Sequence, residues 1–234
     1  MTCDAYMEQI KSEYQIVSVL SNKKESRILR LRHSRLSKDL VLKRYPKQTH
    51  AYEILKTVRH VHIPEVYDVI NLEDGQIVLE EYISGLTVAE SLECNTYTYR
   101  SAKKILYGVC SAVGFLHSQG IVHRDIKPEN ILISRDCTVK LFDLDASRQF
   151  MPGVRKDTEV LGTIGYAPPE QYGLSQSDAR SDIYAIGVLL NVMLTGEHPS
   201  CKLAKGKAGR IVRKCTMIDP DSRYGTAEKL LYAL

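Results

Sequence analysis

The sequence predicts an α+β protein with a β-rich first third and a mainly helical remainder, and three observations carry that prediction. Up to about residue 82 the apolar residues fall in short, loosely alternating runs, which is how half-buried strands read. From about Gly85 they recur at three- and four-residue intervals, which is how helices with one buried face read. With 234 residues, 44% of them hydrophobic and 26% charged, the chain can form one large or two small lobes around a real core.

The elements follow in order. Tyr14 to Leu20 and Ile28 to Arg32 alternate as strands, Leu40-Val41-Leu42-Lys43 is a short apolar strand carrying a lysine, and Ile77 to Tyr82 is another. A short helix is predicted after Pro46, with Ile54, Leu55 and Val58 at helical spacing before His60. Ala102, Ile105, Leu106, Val109, Val113 and Leu116 then line one face of a helix that stops at Gly120. Asp182 to Leu194, closed by Thr195-Gly196, is apolar on nearly all sides and reads as a helix buried in the larger part. No internal repeat, low-complexity tract or linker interrupts the sequence.

Several function classes are disfavoured. The 32 Lys and Arg against 28 Asp and Glu leave a net charge of only +4 with no long basic run, so neither nucleic acid nor anionic lipid is indicated as the main partner. The six cysteines are scattered, without a C-x-x-C pair or histidines at metal spacing, which predicts reduced thiols in a cytoplasmic protein. No apolar segment follows Met1, and the longest, Ile183 to Leu194, is too short to span a bilayer, so no membrane segment is expected.

The chemistry is concentrated in His123-Arg124-Asp125-Ile126-Lys127-Pro128-Glu129-Asn130 and, thirteen residues after Asn130, in Asp143-Leu144-Asp145. Together they read as a phosphoryl-transfer centre. Asp125 can orient and deprotonate a hydroxyl, Lys127 can neutralise a migrating phosphate, and Asn130 and Asp143 are oxygen donors suited to Mg²⁺.

This octapeptide resembles the H-R-D-x-K-P-x-N catalytic loop of the eukaryotic-like (Hanks-type) serine/threonine protein kinases of the bacterial kind, and the resemblance covers nearly the whole chain. It implies a bilobal kinase fold spanning 1–234, with a small β-rich N-lobe over about 1–81, a hinge over about 81–85 and a larger helical C-lobe over about 86–234. It implies transfer of the γ-phosphate of ATP to a Ser or Thr hydroxyl of a protein substrate, with Mg²⁺ or else Mn²⁺. Tyrosine kinases usually lack a lysine at the position of Lys127. The implied catalytic residues are Asp125 and Lys127. Lys43 would hold the α- and β-phosphates, Asn130 and Asp143 the metal, and backbone groups of Glu81 and Ile83 the adenine, while His123 would pack in the core.

Further motifs favour a protein kinase over choline or aminoglycoside kinases, which share the ATP chemistry but lack this scaffold. Gly162 to Glu170 resembles the end of an activation segment, with Pro169-Glu170 matching A-P-E. Asp182 matches the aspartate that opens the central helix, and Asp219-Pro220-Asp221-Ser222-Arg223 the late D-P-x-x-R, which implies a buried Glu170–Arg223 ion pair.

The chain also departs from the family pattern. Ser21, Lys23 and Ser26 stand where a G-x-G-x-x-G loop has glycines, so either ATP is held more loosely or Lys23 or Lys24 replaces the backbone amide contacts with charge. Ala51 falls where the family has the helix glutamate that pairs with the strand lysine, and Glu53 is two residues, or about 200° of helix, away. Glu80 sits just before the hinge, at the gatekeeper position where an apolar residue is usual. A buried carboxylate there demands a cation, so Glu80 is expected to pair with Lys43. Asp145 replaces the glycine of D-F-G, and the short stretch from Pro199 to Arg223 leaves the usual peptide-docking helix shortened or missing.

Arg124 could receive a phosphate placed on Thr158, whereas Thr163 matches a threonine that bonds the catalytic loop. Two functions of different class follow: an active Ser/Thr kinase, supported by the intact set Lys43, Asp125, Lys127, Asn130 and Asp143, or a nucleotide-binding pseudokinase scaffold, supported by the missing glycines and helix glutamate.

Overall fold

Strands buried on both faces define the first part of the computed structural model, which describes residues 2–22, 26–149, 163, 165–172 and 177–234. Lys23, Lys24, Thr158 and Gly162, singled out from the sequence, lie outside the described residues. The chain divides into two units, Met1–His60 with Pro64–Ile83, and Val61–Ile63 with Ser84–Leu234.

The first unit holds an antiparallel five-stranded sheet in the order β1-β2-β3-β5-β4. Its strands are β1 (Tyr14–Asn22), β2 (Arg27–His33), β3 (Asp39–Tyr45), β4 (Val66–Leu72) and β5 (Gly75–Glu81). Because side chains alternate along a strand, each face has its own residues. Leu29, Leu31, Leu42, Ile77 and Leu79 form one face and pack with Cys3 and Ile10 of helix α1 (Cys3–Ile10). Tyr45 and Gln76 belong to the other face, where they meet helix α2 (His50–Thr57). There the Tyr45 and Tyr52 rings stack with centroids 5.7 Å apart and hydroxyls at 2.9 Å, and Gln76 Oε1 accepts the Thr49 backbone N–H at 3.2 Å. Ala51, Tyr52 and Leu55 are the buried residues of α2.

The second unit begins with β6 (Gly85–Thr87) and α3 (Val88–Cys94), the latter started by a capping box between Thr87 and Glu90. Helix α4 (Tyr99–Ser118) buries the predicted face from Ala102 to Leu116. It ends where Gly120 takes φ of 72°, a left-handed conformation that glycine adopts without strain. Short strands follow: β7 (Ile121–Val122), β8 (Ile131–Ser134), β9 (Val139–Leu141) and β10 (Arg148–Gln149). β6, β8 and β9 form a three-stranded sheet, while β10 pairs with β7. Helix α5 (Ala179–Thr195) is the buried central helix, with Ile183, Ile186, Val188, Leu189 and Met193 fully inaccessible. Helices α6 (Gly206–Cys215) and α7 (Ala227–Ala233) pack on α5 and α4 respectively.

Several boundaries differ from the sequence expectation. Both α1 and β4 were absent from it. Val58 is not helical: α2 stops at Thr57 and Val58 is extended, with φ −129° and ψ 157°. α5 starts at Ala179 rather than Asp182, because Asp178 caps it by accepting the Arg180 N–H at 2.7 Å. Residues 196–205 contain no helix, and between Pro199 and Arg223 the chain forms α6 and a short 3-10 turn at Pro220–Ser222. All six cysteines are free thiols. Burial pushes the Cys110 thiol up to about 12, so it serves as a packing residue. Among the described residues, no helix is long and apolar enough to cross a membrane.

Candidate active site

The β8–β9 hairpin explains the spacing between the two chemical motifs. Ile131 pairs with Leu141, so Asn130 and Phe142 lie opposite each other at the open end, where the Phe142 N–H donates to Asn130 O at 3.0 Å. Asp143 is the next residue, held at φ of 70°, and Leu144 beside it is buried. Asp145 is exposed. Residues thirteen apart in sequence thus leave adjacent strands side by side.

Asp125 is the centre of this cluster and only 8% exposed. Its Oδ2 accepts from Lys127 Nζ at 2.6 Å and Asn130 Nδ2 at 2.9 Å, and its Oδ1 accepts from the Thr163 hydroxyl at 2.6 Å. Lys127 Nζ also donates to Thr163 Oγ1 at 2.8 Å. Burial alone would raise the Asp125 carboxyl, but the bonds from Lys127 and Thr163 outweigh it and hold the group below its ordinary range. The result is a carboxylate that stays ionised and already accepts a hydroxyl proton donor. The Asn130 amide nitrogen is spent on Asp125, on the backbone oxygen at 2.8 Å as well as on Oδ2, so Oδ1 is the atom it can offer a cation.

A second buried carboxylate shapes the loop that carries Asp125. Asp182, fully buried in the first turn of α5, accepts the backbone N–H groups of His123 at 2.9 Å and Arg124 at 2.8 Å, and its Oδ2 lies 2.7 Å from His117 Nε2. Gln171 Nε2 donates to Arg124 O at 2.7 Å. These contacts sustain the φ of 68° at Arg124, a conformation that a non-glycine residue adopts only when its surroundings impose it. His123 is wholly buried, as expected of a packing residue. Neither His117 nor Gln171 was singled out from the sequence, since each meets its partner across a long loop.

Asp182 also yields a pH prediction. Burial raises its carboxyl, yet His117 and the loop N–H groups prevail and hold it low. A depressed carboxyl stabilises the fold above its unfolded pKa, and that contribution is lost as pH falls through the folded value. Asp182→Asn should therefore lose about 1.5–3 kcal/mol at pH 7, the range for hydrogen bonds to a charged group. The gap from wild type should narrow in acid. Urea unfolding at pH 7 and near pH 3 measures this, and a gap that widens in acid refutes it.

The first unit contains its own charged pair. Lys43 and Glu80 are 3% and 5% exposed, and Lys43 Nζ lies 2.6 Å from Glu80 Oε1. This is the pairing expected from the cost of a buried carboxylate. Glu53 lies elsewhere, accepting from Asn71 Nδ2 at 2.6 Å. The Glu81 N–H donates to Glu65 O at 2.8 Å. Ile83 is the last residue of this unit.

Glu170 and Arg223 form the ion pair implied by the later motifs, with Nη1–Oε1 at 2.6 Å and Nη2–Oε2 at 2.9 Å. Arg223 also donates to the carbonyls of Met217, Ile218 and Arg180, so all five guanidinium N–H groups have acceptors.

Comparison with known proteins agrees with this geometry. The family model described as "Protein kinase domain" matches residues 13–230. The chain belongs to the protein kinase domain family. Among its relatives, the probable serine/threonine-protein kinase PknB of Lactococcus lactis is 32% identical over 69% of this chain and 26% of its own length. The serine/threonine-protein kinase PknB of Mycolicibacterium smegmatis is 36% identical over 61% of this chain and 24% of its own. Sperm motility kinase Z of Mus musculus is 34% identical over 63% and 30%. The kinase chain thus spans about a quarter of the length of the bacterial relatives it matches.

Proposed function

We propose that the chain is an active serine/threonine protein kinase, transferring the γ-phosphate of ATP to a Ser or Thr hydroxyl of a protein substrate. The observation that supports this best is the Asp125 carboxylate, which contacts the ammonium of Lys127, the amide of Asn130 and a threonine hydroxyl at once. A substrate hydroxyl can take the place of the Thr163 hydroxyl, donating to an oxygen that remains ionised. Lys127 lies against the same carboxylate and supplies positive charge for the phosphate as it moves.

Mg²⁺ suits the donor set, because Asn130 Oδ1 and the Asp143 carboxylate are hard oxygen ligands. When bound, the cation neutralises phosphate charge as the γ-phosphoryl group departs. Mn²⁺ takes the same ligands, and exposed Asp145 adds negative charge nearby. Lys43 holds the α- and β-phosphates, and backbone groups of Glu81 and Ile83 bind the adenine. The protein kinase domain spans the whole chain, and the site is cytoplasmic, as in a bacterial kinase.

The pseudokinase reading is the alternative, favoured by serines at Ser21 and Ser26. Titrating Mg²⁺ or Mn²⁺ against γ-phosphate transfer to a generic basic protein separates the two. Metal-dependent transfer by wild type, reduced at least about 100-fold in Asp143→Ala, supports the kinase. ATP binding without transfer under either metal contradicts it.

A further inference from the structure

We infer that Glu80 is the positioning residue for Lys43, so that the lysine is aligned within the sheet and not by a carboxylate on α2; this rests on the kinase reading above. The argument begins with strand register. Lys43 pairs with Val78 across β3 and β5, and Glu80 pairs with Val41. Each of the two charged residues is therefore two positions from the other's partner, a diagonal pair on one face of an antiparallel ladder. Their charged ends close to 2.6 Å.

Burial makes the contact consequential. With Lys43 at 3% and Glu80 at 5% exposure, each charge is nearly removed from water. Neutralising either would leave the other charge buried without compensation at that contact.

The face shared by Lys43 and Glu80 is the one that Tyr45 and Gln76 present to α2, yet α2 brings no carboxylate to it. Ala51 is buried and has no charge. Glu53 accepts from Asn71, and Asn71 in turn accepts from Gln76 Nε2 at 2.8 Å. α2 is fastened by the Tyr45–Tyr52 contact and by Gln76 with Thr49, two positions or more along β3 and β5 from the ion pair.

The arrangement has a mechanical consequence. The β3–β5 register fixes the backbone positions of Lys43 and Glu80, so side-chain rotation or loss of that register is what separates the pair. Displacing α2 requires neither. The Lys43–Glu80 contact is thus supplied by the sheet, and movement of α2 does not by itself make or break it.

Three variants test this: Glu80→Gln, Glu80→Asp and Glu53→Ala, each measured for kcat, KM for ATP, affinity for a non-hydrolysable ATP analogue, and melting temperature. Glu80→Gln is expected to lower kcat/KM for ATP about 10–100-fold, the usual effect of losing a partner that orients a charged functional group. Glu80→Asp should recover part of that loss, and Glu53→Ala should stay within about twofold of wild type. A melting temperature that falls while kcat and KM of folded Glu80→Gln stay at wild-type values would reduce the pair to a structural contact and overturn the inference. So would a larger kinetic loss in Glu53→Ala than in Glu80→Gln. Should Glu80→Gln not fold, Glu80→Asp decides: unchanged kcat and KM overturn the inference, and a partial loss supports it. If wild type binds the analogue but transfers no phosphate, the kinase reading fails while the inference is still tested by affinity. Weaker analogue binding by Glu80→Gln then supports it, and equal binding overturns it.

Discussion

Asp125→Asn is expected to lower kcat by about 10²–10⁴-fold, the contribution typical of a positioned proton acceptor, while KM for ATP changes little. The substitution keeps the size of the side chain but turns one oxygen into an NH₂ group. Oδ2 receives Lys127 and Asn130 at 2.6 and 2.9 Å, and Oδ1 receives Thr163 at 2.6 Å, so an NH₂ in the Oδ2 place opposes two donors, while one in the Oδ1 place requires the Thr163 hydroxyl to turn and accept. It also loses the charge that keeps Lys127 in place. Steady-state kinetics over a range of ATP concentrations separate the two effects. A variant that retains more than about a tenth of wild-type kcat would remove Asp125 from its assigned role.

Arg223→Met should cause the largest stability loss of any single substitution considered. The guanidinium satisfies both Glu170 oxygens and three backbone carbonyls. Its side chain is 0% exposed and that of Glu170 7%. Breaking a buried pair from one side costs about 3–5 kcal/mol, because the surviving charge remains in the interior. For a chain of this size each kcal/mol lowers Tm by about 2–4 °C, so calorimetry should register a fall of about 6–20 °C. Glu170→Met added to Arg223→Met should restore part of the loss, since the uncompensated carboxylate is then gone. If the double variant is less stable than Arg223→Met by the full cost of a second independent site, the two residues do not act as a pair.

The sequence made the chemistry legible because catalytic loops carry their functional residues close together. Asp125, Lys127 and Asn130 lie within six residues, and the β8–β9 hairpin brings Asp143 to them without any element intervening. Glu80 was legible for a different reason. The kinase resemblance places it at the gatekeeper position, facing the strand lysine, and a carboxylate buried there needs a cation such as Lys43.

What escaped was long-range or weakly patterned. Asp182 was recognised by its motif, but its grip on the His123 and Arg124 amides spans 59 and 58 residues, and its partner His117 is 65 residues away. No local spacing encodes such contacts. The strand β4 mixes buried and half-exposed positions without strict alternation, so its sequence VYDVINL lacks the period-two signal. Helix α1 buries only Cys3 and Ile10 in eight residues, too few to trace a helical stripe. Val58 had the right spacing for α2, but spacing cannot register that the backbone turns extended after Thr57.

Incubation of the purified chain with γ-radiolabelled ATP and Mg²⁺, followed by acid hydrolysis and phosphoamino-acid analysis of the labelled protein, tests the central claim most directly. Label on phosphoserine or phosphothreonine, absent from Asp125→Asn, is the predicted result. Tight ATP binding with no label on any residue would contradict the account and leave the chain a nucleotide-binding scaffold.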